Sequence, residues 1–165
     1  MKNDRFNELI RFSEKSRKLG VSLEEFIIMF LGLSPEHRVE GKTRFQKLIY
    51  ILNTYYDLFD NLSFFRYYYG PFSTELDDTL NNLKLLGYID EEVIYFGVDH
   101  FNFQVNISLT ELGIKKFREL KLKYQVPFDR IKDMINSLLK TDTYDYYTME
   151  LQKFLNIVYN IAGYK

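Results

Sequence analysis

The chain has 165 residues, enough to bury one hydrophobic core, and its formal net charge at pH 7 is -1. It contains no cysteine, which excludes disulfides, thiolate catalysis and cysteine-ligated zinc sites. It carries 14 Tyr and 15 Phe but no Trp, so aromatic rings must supply much of the core and some rings must remain exposed.

The charged residues are distributed unevenly along the chain. Residues 61–110 carry two Lys/Arg against seven Asp/Glu, whereas residues 1–60 and 111–165 are both net positive. The longest apolar run, residues 26–33, is too short to cross a bilayer. Together with the lack of cysteine, this predicts a cytoplasmic protein without a membrane segment. No linker or repeat divides the chain, so we expect a single domain over residues 1–165.

Two helices are predicted in the N-terminal part. Apolar residues at helical spacing predict a first helix over residues 6–19, with Gly20 as its left-handed cap. Ser22 and Glu25 form a capping box that begins a second helix. The Ser34-Pro35 pair is expected to end this helix after Leu33.

The strongest helix pattern begins at Thr43. Its buried stripe repeats every three or four residues and comprises Phe45, Leu48, Ile49, Leu52, Tyr56 and Phe59. Lys42, Arg44 and Lys47 lie on the other side of its first turns, where their charge opposes the helix dipole. We interpret them as solvated side chains, with contact to an anion or phosphate as the alternative.

A compact junction follows this helix. Residues 64–70 predict a short aromatic strand that ends at Gly70-Pro71, and Ser73 or Thr74 then caps another helix. Gln46 or Lys47 is expected to hydrogen-bond the turn, which gives the junction an architectural role and leaves a binding role open. The new helix buries Leu76, Leu80 and Leu83, and residues 89–109 form a β-hairpin around residues 97–100.

The last part of the chain is helical. Thr110 caps a basic helix that buries Phe117, Leu120 and Tyr124, and two further helices cover about residues 128–139 and 149–161. The aromatic segment 143–147 fits either a dimer interface or the core.

The order of elements predicts the fold class. We expect an α+β fold, mainly α, with a winged-helix-like core at 41–113 whose wing is the β-hairpin. Residues 1–40 and 114–165 add N- and C-terminal helices. About fourteen residues separate the two central helices, where a helix-turn-helix normally has a turn of three or four.

No segment carries a recognisable catalytic or metal site. The "EGKT" at 40–43 has Glu36 where a phosphate loop needs its first glycine, and no strand precedes it. His37 and His100 have no partner at metal-ligand spacing. The adjacent Asp77 and Asp78 point in different directions on a helix. We therefore expect no metal, no cofactor and no enzymatic activity.

Four ordered segments resemble a known family. They read "GKTRFQKLIYIL" at 41–52, "YYGPFSTEL" at 68–76, "LKLLGYI" at 83–89 and "LTELG" at 109–113. This pattern resembles the YwgA-like and Panacea (SocA-like antitoxin) proteins, except that Phe45 stands where Leu is usual. The resemblance implies a winged-helix-like fold in small prokaryotic or mobile-element proteins that lack catalysis, the Panacea members acting as antitoxins that bind a protein. The matching family positions are Thr43, Gln46, Lys47, Leu48, Tyr69, Gly70, Pro71, Ser73, Thr110 and Gly113.

Two functions remain open. The first is a regulatory module, antitoxin-like or adaptor-like, that binds a protein partner through Tyr67, Tyr68 and Tyr69 together with Glu75 and Asp78. The acids at the start of that helix would repel a phosphate backbone. The alternative is a DNA-binding transcription regulator, as a monomer or a symmetric homodimer, that contacts phosphates through Lys42, Arg44, Lys47, Lys115, Lys116 and Lys123.

Overall fold

A computed structural model describes residues 19–97 and 102–164. In these ranges the protein is α+β and mainly α, as predicted. The helices are α1 (Leu23–Leu33), α2 (Lys42–Tyr56), α3 (Thr74–Leu85), α4 (Glu111–Lys123), α5 (Gln125–Leu138) and α6 (Leu151–Ala162). The strands are β1 (Arg38–Val39), β2 (Phe65–Tyr67), β3 (Gly70–Phe72), β4 (Ile89–Phe96) and β5 (Asn102–Leu109). The helix predicted over residues 6–19 and the residue His100 lie outside the described residues.

Helix α1 is the central element of the core. Its capping box is confirmed: Ser22 Oγ accepts a hydrogen bond from the Glu25 amide at 3.1 Å, and Glu25 Oε1 accepts one from the Ser22 amide at 3.0 Å. Every residue from Phe26 to Gly32 is buried. A Cβ at Gly32 would collide with the Phe117 ring, so this glycine lets α4 pack closely on α1.

The larger sheet is built on the predicted β-hairpin. Strands β4 and β5 pair antiparallel from Ile89 opposite Leu109 to Phe96 opposite Asn102. Strand β1 adds to the other edge of β5, giving the order β1-β5-β4. The base of the hairpin is buried at Ile89 and Leu109, whereas its far end exposes aromatic rings. The hairpin therefore projects from the core.

The second sheet corrects one prediction. Gly70-Pro71 does not end a single strand, because Gly70 and Pro71 lie in the return strand of a two-stranded ribbon. Arg66 pairs with Pro71 and Tyr67 with Gly70, so Tyr68 and Tyr69 form the turn. This ribbon, β2–β3, fills the long connection between α2 and α3. The winged-helix assignment stays a prediction.

Helix α2 buries most of the predicted apolar stripe, but the basic side chains on its other side are less exposed than predicted. Phe45, Leu48, Ile49 and Leu52 are buried as expected, while Tyr56 is exposed. The interpretation of Arg44 and Lys47 as solvated is wrong: they are only 7% and 3% exposed. The β2–β3 ribbon and α6 pack against α2, and the segment before α6 receives the Arg44 hydrogen bonds.

The C-terminal helices agree with the prediction to within a few residues. Of the aromatic segment before α6, Tyr147 is buried in the core, where its ring stacks on Phe30 with centroids 6.2 Å apart. Burial raises the pKa of Tyr147, and its hydroxyl accepts a hydrogen bond from Ser34 Oγ at 3.2 Å. In the described part of the chain, no helix has the length and apolar character that a bilayer crossing requires.

Candidate binding site between two hairpins

The junction between α2 and α3 is fixed by a glutamine. Gln46 is buried, its Nε2 donates to the Ser73 carbonyl at 2.9 Å, and its Oε1 accepts from the Ser73 amide at 2.8 Å. Ser73 also caps α3, accepting a hydrogen bond from the Leu76 amide at 3.2 Å. The prediction that Gln46 or Lys47 bonds this turn is confirmed for Gln46.

Gly70 allows the ribbon to pack tightly on the helices beneath it. Its φ of +103° is a region that L side chains rarely adopt. A Cβ on Gly70 would lie 2.8 Å from Tyr159 Cε1 in α6 and 3.6 Å from Lys47 Cε in α2. The Gly70-Pro71 pair is therefore architectural, and it covers the side chain of Lys47.

Arg44 joins α2 to the segment before α6. Its two terminal nitrogens donate to the carbonyls of Tyr146 and Met149, each at 2.6 Å, and its guanidinium lies 5.2 Å from the Phe154 ring centroid. Burial lowers the pKa of Arg44 despite nearby acids. Because both terminal nitrogens are occupied inside the protein, Arg44 does not present a cation to a phosphate.

The three tyrosines at the ribbon turn are exposed, as the protein-binding hypothesis requires. Tyr67 is 51% exposed, Tyr68 83% and Tyr69 61%. The rings of Tyr67 and Tyr68 touch edge to face with centroids 4.7 Å apart, and Tyr67 also contacts Phe72 at 5.3 Å. These rings form an exposed aromatic cluster on a short ribbon whose base is held by Gln46.

A groove of about 490 Å³ separates this ribbon from the projecting hairpin. Tyr69 lies on one side of it, the exposed rings of Phe96 and Phe103 lie on the other, and the start of α2 forms its floor. Lys42, at this floor, forms an ion pair with Glu91 at 2.7 Å, and Lys84 contacts the same carboxylate at 3.3 Å. Burial alone would raise the pKa of Glu91, but the hydrogen bonds and charges of the two lysines lower it overall.

A smaller pocket of about 140 Å³ adjoins the groove under the ribbon. Most of its lining surface is apolar, and Lys47 is its most buried cation; the lining residues are Lys42, Thr43, Gln46, Lys47, Tyr67, Tyr69, Phe72, Asp77 and Leu80. Within residues 19–97 and 102–164, the Lys47 ammonium has no hydrogen-bond or ion-pair partner. Burial lowers its pKa from 10.5 to about 8.

The two predicted acidic contacts differ in their surroundings. Glu75 accepts hydrogen bonds from Ser63 Oγ at 2.7 Å and from Ser73 Oγ at 3.2 Å, and the bond from Ser63 is the main reason that its pKa is lowered. Asp78 is exposed on the next turn of α3. Glu75 therefore helps to hold the junction, and Asp78 faces solvent.

The last family positions, Thr110 and Gly113, lie away from the groove at the start of α4. Thr110 Oγ1 donates to the Gly87 carbonyl at 2.6 Å and accepts from the Gly113 amide at 3.0 Å. A Cβ on Gly113 would collide with the Tyr88 carbonyl oxygen. These contacts fasten α4 to the turn before β4.

The basic residues of the DNA alternative do not form one exposed surface. Lys115 and Lys123 are exposed on α4, and Lys116 lies 3.9 Å from Glu119. Arg44 and Lys47 are buried, however, and Lys42 is paired with Glu91. Of these six residues, the lysines of α4 remain as an open basic group.

Some lining residues of the groove were not predicted, namely Phe96, Phe103, Gln104 and Leu151. The described residues hold no group of three side chains suited to a metal ion. Comparison with protein-family models, curated proteins and solved structures finds no match.

Proposed function

We propose that this protein is a non-enzymatic regulatory module, winged-helix-like and cytoplasmic, that binds a protein partner in an antitoxin-like or adaptor-like role. The observation that carries the proposal is the exposed aromatic cluster of Tyr67, Tyr68 and Tyr69 beside the groove between the two hairpins. Tyrosine and other aromatic residues are enriched at the energetic centres of protein interfaces.

The ribbon that bears these rings is suited to binding because its base is rigid. Gln46 bonds both backbone groups of Ser73, and Gly70 packs against α6. Rings that are already held in place lose less conformational entropy when a partner binds. The groove beside them offers a concave surface with rings on both sides.

Site-specific photocrosslinking in the native host cell tests this proposal. A photoreactive amino acid at position 68 should crosslink one protein, and the same group at position 122 should not, although Leu122 is also highly exposed. The double variant Tyr67→Ala/Tyr68→Ala should lose co-purification of that protein. Equal crosslinking from both positions, or unchanged co-purification, would contradict the proposal.

Binding of DNA is the second candidate, and the exposed lysines of α4 favour it. Lys115 and Lys123 lie open on this helix, and a symmetric homodimer would present two such helices. Fluorescence anisotropy with random-sequence duplex DNA tests it. Binding that weakens steeply as salt rises would support phosphate contacts, and its loss in Lys115→Ala/Lys123→Ala would assign them to α4.

A further inference from the structure

Lys47 has an unusual position for a charged side chain. It is 3% exposed, lines the pocket under the ribbon, and has no polar partner in the described part of the chain. Burial to this degree removes most hydration from a lysine and disfavours its charged form unless an opposite charge or hydrogen-bond acceptors compensate it. No acceptor for this ammonium lies within residues 19–97 and 102–164, and the cavity beside it is open to a ligand that could supply one.

We propose that the Lys47 pocket is a binding site for a carboxylate group carried on a short apolar stem. The carboxylate would accept hydrogen bonds from the Lys47 ammonium, while Phe72 and Leu80 pack against the stem. Thr43 also lines the pocket, and its hydroxyl would be the second donor to the carboxylate. Tyr67 and Tyr69 also line this pocket, so it adjoins the exposed aromatic cluster, but binding of a free carboxylate there does not require the proposed protein partner.

Charge and size favour a carboxylate over a phosphate. Lys47 is the cation of the lining without an ion pair, and because Asp77 in the same wall already carries a negative charge, a doubly charged anion is disfavoured more than a singly charged one. Lys42 is already engaged by Glu91. A volume of about 140 Å³ accommodates a group about the size of a benzene ring or a four-carbon acid.

Two sources of this chemistry can be separated by experiment. A free monocarboxylate is represented by butyrate, with butyramide as its uncharged match and inorganic phosphate as the competing anion. An acidic side chain of a protein is represented by a blocked Gly-Gly-Glu-Gly-Gly peptide, with Gln in place of Glu as its match. Binding is followed through the amide spectrum of the isotope-labelled protein at pH 7.

The proposal predicts saturable binding of butyrate or of the Glu peptide, with shifts centred on residues 43–47 and 67–80. Lys47→Met should weaken this binding about tenfold or more, while Lys132→Met, at an exposed lysine, should leave it unchanged. Binding of butyrate alone assigns the site to a free carboxylate, and binding of the peptide assigns it to a protein side chain.

A measurement on the wild-type protein tests the proposal even if Lys47→Met does not fold. A bound carboxylate should raise the Lys47 pKa, measured from its ε-carbon signal, and butyramide should not. No saturation by either carboxylate, equal binding of the uncharged matches, or preferential binding of phosphate would overturn the proposal.

Discussion

Replacing Lys47 by methionine should make the protein more stable. The two side chains have similar length, so methionine fills the same space without a charge to desolvate. The Lys47 pKa is about 8 in the folded protein and 10.5 as the ordinary value. At 1.36 kcal/mol per pH unit, burial of the ammonium costs about 3 kcal/mol at pH 7. Lys47→Met should recover about this much free energy of unfolding.

The stability that Lys47→Met gains over wild type should decrease as the pH rises. Between pH 8 and 10.5 the unfolded chain binds more protons at Lys47 than the folded chain does, so wild-type stability rises with pH in this window. The advantage of Lys47→Met should therefore fall to about 2 kcal/mol at pH 9 and nearly vanish above pH 10.5. Well above pH 10.5 the lysine is neutral in both states.

Urea unfolding followed by far-ultraviolet circular dichroism at pH 7, 9 and 10.5 measures this difference. Circular dichroism is preferred because the chain has no Trp whose fluorescence could report unfolding. Lys132→Met, at an exposed lysine, serves as the control and should change stability little at any pH. The reasoning is refuted if Lys47→Met is less stable than wild type at pH 7, or if its effect is the same at all three pH values.

Three further predictions concern the contacts around the site. Gln46→Leu should lower the free energy of unfolding by about 1 to 3 kcal/mol, because it leaves the buried Ser73 amide unpaired, while the Ser73 carbonyl keeps its hydrogen bond from the Asp77 amide; Gln152→Leu, at an exposed glutamine, should change it little in the same urea titration. Gly113→Ala should destabilise by about 1 to 3 kcal/mol, because its Cβ meets the Tyr88 carbonyl oxygen; thermal unfolding checks this, and an unchanged midpoint would refute the close packing. Glu91→Gln should remove less than about 1 kcal/mol, since its two lysine contacts are partly exposed. That contribution is present above pH 4.5 and is lost as the pH falls through the lowered pKa of Glu91, so the difference between wild type and variant should shrink as the pH is lowered below 4.5.

The parts of the fold that depend on local signals were predictable. The capping box at Ser22 and the caps at Ser73 and Thr110 are formed between residues three positions apart, and each begins a helix as expected. The apolar stripe of α2 follows from its spacing alone. These features need no knowledge of distant residues.

The parts that depend on distant residues were not predictable. Arg44 is buried because carbonyls 102 and 105 positions further along the chain accept its hydrogen bonds. The ribbon that covers Lys47 was missed because its Tyr68-Tyr69 turn lacks the Gly, Asn or Asp that usually indicates a two-residue hairpin loop. Without the ribbon, neither the pocket nor the groove can be anticipated.

The hydrogen bonds of Arg44 and Gln46 have a consequence for how the sequence can change during evolution. Both side chains bind backbone groups, at positions 146, 149 and 73, and not the side chains of those residues. Every amino acid supplies a carbonyl, so substitution at 146 or 149 leaves an acceptor in place, whereas substitution at 44 removes both donors. Selection should therefore act on one end of each contact, and related sequences should keep Arg44 and Gln46 without covarying changes at 146 and 149.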